Sequence, residues 1–264
     1  MPKNYTYTTP CGSTYDLFTD ALKQPHVLIA GATGSGKSVL INGLISTLLH
    51  RFPFNRPDGA QMILIDPKRV ELARYANLPH TLTHAAGHDP EAWKAALRYA
   101  VSVMDQRYTE MERRGELTYT GGDLYVIIDE WANVYKNGGK ECYTLTMRLT
   151  SEGRAARVHC IIATQVPKAN VLPSEIRENC TARFCLRTAN SIQSRVIMEQ
   201  NGCEILPDPQ EAGEAHGYYK KGLSCPLYRI PYVQPSEIAA IVRHWEAQQA
   251  WNRKPRLFRG PIPA

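Results

Sequence analysis

The 264-residue chain has no run of about 18 uncharged apolar residues, so no membrane-crossing helix is expected. Met1-Pro2-Lys3-Asn4-Tyr5 does not begin a signal peptide. The seven cysteines, at 11, 142, 160, 180, 185, 203 and 225, are odd in number, and none stand in C-x-x-C spacing. A disulfide framework and a zinc site are both disfavoured, and the thiols read as small core residues. The eight histidines form no H-E-x-x-H cluster, which leaves a transition-metal enzyme without support. No internal repeat and no dividing linker is visible. The net charge of +6 is too modest to decide between a polyanionic partner and ordinary solvation. What remains is a cytoplasmic chain, 43% hydrophobic, of a size that suits one large α/β domain.

The organising stretch is residues 26–38, HVLIAGATGSGKS. A short apolar run of buried-strand length enters G-x-x-x-x-G-K-S, and a helical pattern follows at once. Gly31, Gly34 and Gly36 free the backbone of Gly31, Ala32, Thr33, Gly34, Ser35, Gly36, Lys37, Ser38 and Val39 to turn its N–H groups toward phosphate oxygens. Lys37 is then placed for the β and γ phosphates, and the Ser38 hydroxyl for Mg2+. The competing account is a glycine-rich turn, and the strand before and helix after argue against it.

Along the chain, residues 1–25 suggest a hairpin laid against the core. A helix follows the loop until Pro53 and Pro57. Met62-Ile63-Leu64-Ile65 is a second buried strand, ending in Asp66-Pro67-Lys68. Asp89 and Pro90 start a long helix with Trp93, Leu97, Ala100, Met104, Tyr108 and Met111 on its apolar face, and Gly115 closes it. Leu124-Tyr125-Val126-Ile127-Ile128 then runs into Asp129-Glu130, the Walker B spelling. There Asp129 would hold Mg2+ through water, and Glu130 would polarise the attacking water. A strand entering an Asp-capped helix is spelled similarly, but the upstream phosphate loop favours ATP or GTP hydrolysis.

A basic glycine-rich loop is expected at residues 136–140, with a helix from Glu141 to Arg154. Further strands are expected over 158–165 and 182–187, then a helix from Ser191 to Gln200. A closing pair at 216–219 and 227–230 and a final helix carrying Ile238, Ile241, Val242 and Trp245 complete the core. The tail after Trp251, rich in Arg and Pro, lacks an apolar period and is expected to be mobile.

With these pieces in place, the chain resembles the FtsK/SpoIIIE DNA-translocating ATPases. The segments GATGSGKSVLINGLI (31–45), LIDPKRVELARYANLPH (64–80), VIIDEWANV (126–134), GRAARVHCIIATQ (153–165) and SRVIMEQNGCEIL (194–206) follow family order over about residues 10–235. The phosphate loop is generic; D-P-K-x-x-E-L and A-T-Q are far more particular. The resemblance implies a RecA-like P-loop core over 26–250 with a mainly parallel sheet flanked by helices. It also implies a homo-oligomer, usually a hexameric ring around double-stranded DNA, with ATP between neighbours. By position, Gln165 looks like the γ-phosphate sensor and Arg154 like the finger that reaches the adjacent subunit's ATP. The alternative for Arg154 is an ordinary surface arginine.

Departures fall on the DNA side. Val166 stands where the family has Arg after A-T-Q, and Ser191 replaces a family lysine, while Arg195 is retained. Arg195 is therefore the best DNA contact, with Lys168 and Arg187 as further cations, and Lys136 another source of charge. The chain shows no membrane anchor or winged-helix module, which leaves those tasks to a membrane-anchored or DNA-guiding partner protein and fits a motor from a conjugation or phage system. Two other classes remain in play: a secretion or coupling ATPase moving protein or protein–DNA cargo, and a nucleotide-dependent binding switch.

Overall fold

A computed structural model describes residues 6–8, 14–52, 59–230 and 232–251. In chain order it comprises β1 (Thr6–Thr8), β2 (Thr14–Asp16), α1 (Leu17–Leu22), β3 (His26–Ala30), α2 (Lys37–Arg51) and β4 (Gln61–Asp66). Next come β5 (Thr81–Ala86), α3 (Pro90–Arg114), β6 (Leu124–Ile128), α4 (Trp131–Glu152), β7 (Val158–Thr164) and α5 (Ser174–Asn179). The last are β8 (Ala182–Leu186), α6 (Ser191–Met198), α7 (Pro209–Ala212), β9 (Ala215–Lys221), β10 (Leu227–Ile230) and α8 (Pro235–Trp251). The expected mobile tail beyond Trp251 lies outside the described residues.

Eight strands make one sheet in the order β10-β9-β8-β3-β7-β6-β4-β5, parallel from β8 to β5, with β9 and β10 antiparallel at one edge. A parallel sheet is buried on both faces, which is why β3, β6 and β8 are continuously buried runs with no polar alternation. Successive residues still part company. Val27, Ile29, Leu64, Ile127 and Ile161 pack with Leu17 and Phe18 of α1, Leu40, Leu44 and Leu48 of α2, and Trp245 of α8. Leu28, Ile63, Val126, Ile128 and Ile162 pack with Trp93 and Leu97 of α3, Trp131 and Leu149 of α4, and Ile197 of α6. The result is three layers, with both cores closed by the same strands.

The signals read from α3 hold: Asp89 accepts from Ala92 N at 3.1 Å, Pro90 sits in the first turn, and Gly115 closes the helix in the left-handed region. Two expectations change. Residues 136–140 are not a five-residue loop: α4 is two helical stretches that meet at a kink inside the segment, where Gly139 leaves helical geometry (φ 68°, ψ −161°). The helix expected to reach Arg154 stops at Glu152, and Arg154 lies in the turn before β7. Strand β5, which the sequence did not announce, extends the parallel sheet beyond β4.

Two histidines are sealed into this frame. Burial, with the charge of His159 adding to it, pushes His26 down to about 3, and burial takes His80 to about 4. Below the ordinary value of 6.5 the unfolded chain takes up protons that the folded protein refuses. Stability should therefore fall as pH drops from 6.5 toward 4, by on the order of 1 kcal/mol per pH unit for each histidine. Denaturant midpoints measured across that range check this. His80→Phe keeps a ring edge-on to Trp245 (4.7 Å) and should flatten the slope; an unchanged slope would contradict the assignment.

Candidate active site

Parallel pairing brings the C-terminal ends of β3, β4, β6 and β7 to one edge, because Ala30 pairs with Thr164, Ile128 with Ile162, and Ile65 with Ile128. The phosphate loop leaves that edge where neighbouring connections diverge to opposite faces, α2 to one and α4 to the other. Gly36 has φ 96°, and a Cβ there would lie 2.5 Å from that of Ala215. At Gly31 a Cβ would meet Ser35 Oγ at 2.3 Å. Gly36 is needed for both backbone geometry and space, Gly31 for space alone.

Two anchors hang the loop from the sheet, Gly31 N to Thr164 O (3.3 Å) and Ala32 N to Arg187 O (2.8 Å). The backbone N–H groups of Thr33, Gly34, Gly36, Lys37 and Ser38 make no backbone bond among the described residues, and Val39 completes the open first turn. Ser35 Oγ is buried without a hydrogen-bond partner. Unpaired donors gathered at a helix N-terminus are the complement of a triphosphate, so these residues fit ATP.

Lys37 and Asp129 form a buried ion pair, with side chains 5% and 1% exposed. Lys37 Nζ donates to Asp129 Oδ1 at 3.0 Å and to Asp129 O at 2.8 Å. Glu130, beside it, has Oε1 3.1 Å from Thr164 Oγ1 and 3.0 Å from Gln165 N, and Lys68 Nζ lies 3.6 Å from Oε2. Thr164 donates to the carboxylate while accepting from Val166 N (3.2 Å), so its hydroxyl orientation is fixed. The Gln165 side chain reaches back to the phosphate loop, with Oε1 3.3 Å from Thr33 Oγ1. Asp129, Glu130 and Gln165 thus meet the phosphate loop at one edge, beside Ser38 in the first turn of α2. The hard oxygens of Ser38 and Asp129, with phosphate oxygens and water, suit Mg2+.

Lys68 and Glu71, both from the segment after β4, also belong here; Glu71 Oε1 accepts from Ser38 Oγ at 2.5 Å. The D-P-K-x-x-E-L spelling marked the segment, but only the fold shows which atoms its side chains meet.

Of the other expected residues, only Arg187 meets the phosphate loop, and through its carbonyl rather than its side chain. Arg154 is exposed at the opposite edge of the sheet, before the first residue of β7. Lys168 is exposed in the β7–α5 connection. Arg187 stands at the end of β8 and is ion-paired with Asp208. Arg195 is exposed on α6 and takes part in no ion pair among the described residues. The end of α6 is held by Arg183, which donates to Ile197 O (3.1 Å) and Glu199 Oε1 (2.9 Å).

This edge and this fold define a P-loop ATPase. The family model described as FtsK/SpoIIIE matches residues 11–123. The chain is 36% identical over 242 residues to the protein named DNA translocase FtsK of Leptospira interrogans serovar copenhageni, covering 84% of this chain and 25% of that protein. It is 38% identical over 246 residues to the DNA translocase FtsK of Helicobacter pylori strain J99, covering 88% of this chain and 28% of that one. It spans about a quarter of the length of these relatives.

Among solved structures, the pCW3 conjugation coupling protein TcpA, a monomer form with ATPγS, shares the fold (TM-score 0.72, 22% identity, 92% of this chain and 71% of that one). EssC ATPases 2 and 3 from Geobacillus thermodenitrificans share it as well (TM-score 0.74, 15% identity, 98% and 50%). The chain belongs to the FtsK/SpoIIIE family.

The site separates binding from hydrolysis. Lys37→Ala should abolish ATP binding and also destabilise the fold, because Asp129 stays buried without its partner, a loss of about 3 kcal/mol. Glu130→Gln should keep ATP affinity and lose turnover by about a hundredfold or more. Nucleotide titration beside steady-state turnover checks both; wild-type turnover in Glu130→Gln would contradict the assignment.

Proposed function

We propose that this chain is the ATP-hydrolysing motor of a double-stranded DNA translocase, sequence-independent and acting in the cytoplasm as a homo-oligomeric ring, hexameric as the resemblance implies. The observation that carries the hydrolytic half is the clamp on Glu130. A carboxylate held by Thr164 Oγ1 and Gln165 N keeps one orientation and can accept a proton from a water attacking the terminal phosphate. Lys37 leaves Asp129 to neutralise the phosphates. Gln165, already at Thr33, reports the occupant of the loop. Ser38 and Asp129 would hold Mg2+, which supplies charge neutralisation across the β and γ phosphates.

The position of Arg154 supports assembly. The seven residues of β7 separate it from its own phosphate loop by roughly 20 Å, well beyond an arginine side chain. An arginine finger there must serve a neighbour's ATP. A 36–38% identity to DNA translocases supports duplex DNA as cargo, with Arg195, Lys168 and Arg187 as phosphate contacts; Arg187 first has to share Asp208. Exposed Val166, in place of a cation, favours one second reading, a coupling or secretion ATPase moving protein or protein–DNA cargo.

Two experiments test the proposal. Arg154→Ala should lower turnover about a thousandfold, and mixing it with Glu130→Gln should restore part of it through interfaces that pair an intact finger with an intact site. No rescue, with turnover per chain independent of protein concentration, would contradict a shared site. Binding to duplex DNA should not depend on sequence and should weaken with salt; Arg195→Ala should reduce the slope of log affinity against log salt by about one unit. An unchanged slope removes Arg195 from the interface. ATPase activity stimulated by peptide and indifferent to duplex DNA would favour the second reading.

A further inference from the structure

The segment joining β4 to the next strand is built as a rigid bracket. Asp66, fully buried, uses one carboxylate oxygen for Lys68 N (3.2 Å) and the other for Leu72 N (3.0 Å). Its carbonyl accepts from Arg69 N (3.2 Å) and Gly87 N (2.8 Å). Arg69 turns the chain with φ 60°, a conformation that costs a side-chain-bearing residue about 1 kcal/mol or more and persists only where the surroundings impose it. The bracket meets α2 at two points. Tyr75 Oη bonds Asn42 Oδ1 at 2.6 Å, and Glu71 Oε1 accepts from Ser38 Oγ at 2.5 Å.

We propose that Glu71 is a positioning residue that aims the Ser38 oxygen at magnesium, a role that rests on the nucleotide site proposed above. A serine hydroxyl has one proton and two acceptor lone pairs. It can serve a cation only when its proton points elsewhere. Glu71 takes that proton in a short, charge-assisted bond, and both lone pairs of Ser38 are left for the metal. Partners that orient a metal ligand in this way change metal affinity by about 10- to 100-fold when lost.

The test is ATPγS binding, with no turnover involved, titrated with Mg2+ and separately in EDTA. Glu71→Ala should raise the Mg2+ concentration needed for half-maximal tightening about tenfold and leave affinity in EDTA at the wild-type value. Glu71→Gln keeps a carbonyl oxygen for the Ser38 proton and should recover most of the wild-type Mg2+ response, so the outcome does not depend on how well the alanine variant folds. In a cycle with Ser38→Ala, adding Glu71→Ala should cost nothing further. Wild-type Mg2+ dependence in Glu71→Ala, or equal loss with and without Mg2+, would reduce Glu71 to a brace for α2 and overturn the proposal. A wild-type protein that binds no ATPγS under either condition overturns the nucleotide reading and the Glu71 role together, which sets it apart from a failure of Glu71 alone.

Discussion

The structure depends on one buried charge pair. Lys37 and Asp129 come from the two halves of the nucleotide site, and at that depth each compensates the other's desolvation. Their mutual neutralisation allows an apolar sheet to end in a cluster of ionic side chains. It also sets how a ligand must enter: a triphosphate offers Lys37 a more negative partner, and an Asp129 released from Lys37 becomes an oxygen ligand in search of a cation. In the proposed function, binding at this edge is an exchange of partners, with the phosphate-loop N–H groups waiting unpaired.

The two halves of the proposed function have unequal structural foundations. Nucleotide residues are cross-braced, Glu130 by β7, Ser38 by the segment after β4, and Gln165 by Thr33, with Lys37, Asp129 and Glu130 buried and Ser38 and Gln165 half-buried. Arg195 and Lys168 are exposed, as cations must be if they are to slide along a phosphate backbone and release counterions. Precision on one side and looseness on the other suits the proposed motor, whose chemistry must be exact in geometry while its grip is indifferent to sequence.

Much of this was legible because spacing constrains backbone. The phosphate loop, the acidic pair after β6 and the Asp89–Pro90 start of α3 each encode a local conformation, and each stands where the spelling put it. Strand β5 was not legible. Thr81-Leu82-Thr83-His84-Ala85-Ala86 has no continuous apolar run, and its pairing with β4 is a tertiary fact. The 136–140 segment is legible only in part: its two glycines lower helix propensity and Gly139 does break the helix, but packing of Val134, Cys142 and Leu149 holds helical stretches on both sides, so the break is a kink and not a loop. Glu71 was visible as a letter in a motif, but its contact with Ser38 joins residues 33 positions apart and needs Asp66 to shape the intervening chain.

The exchange at Lys37 is tested most directly by the structure of this chain bound to ATPγS and Mg2+. Lys37 Nζ, now 3.0 Å from Asp129 Oδ1, should have moved out of hydrogen-bond reach of that oxygen and onto the phosphates, with Asp129 turned to the metal's water shell. A nucleotide held while Lys37 still bonds Asp129 would contradict the account.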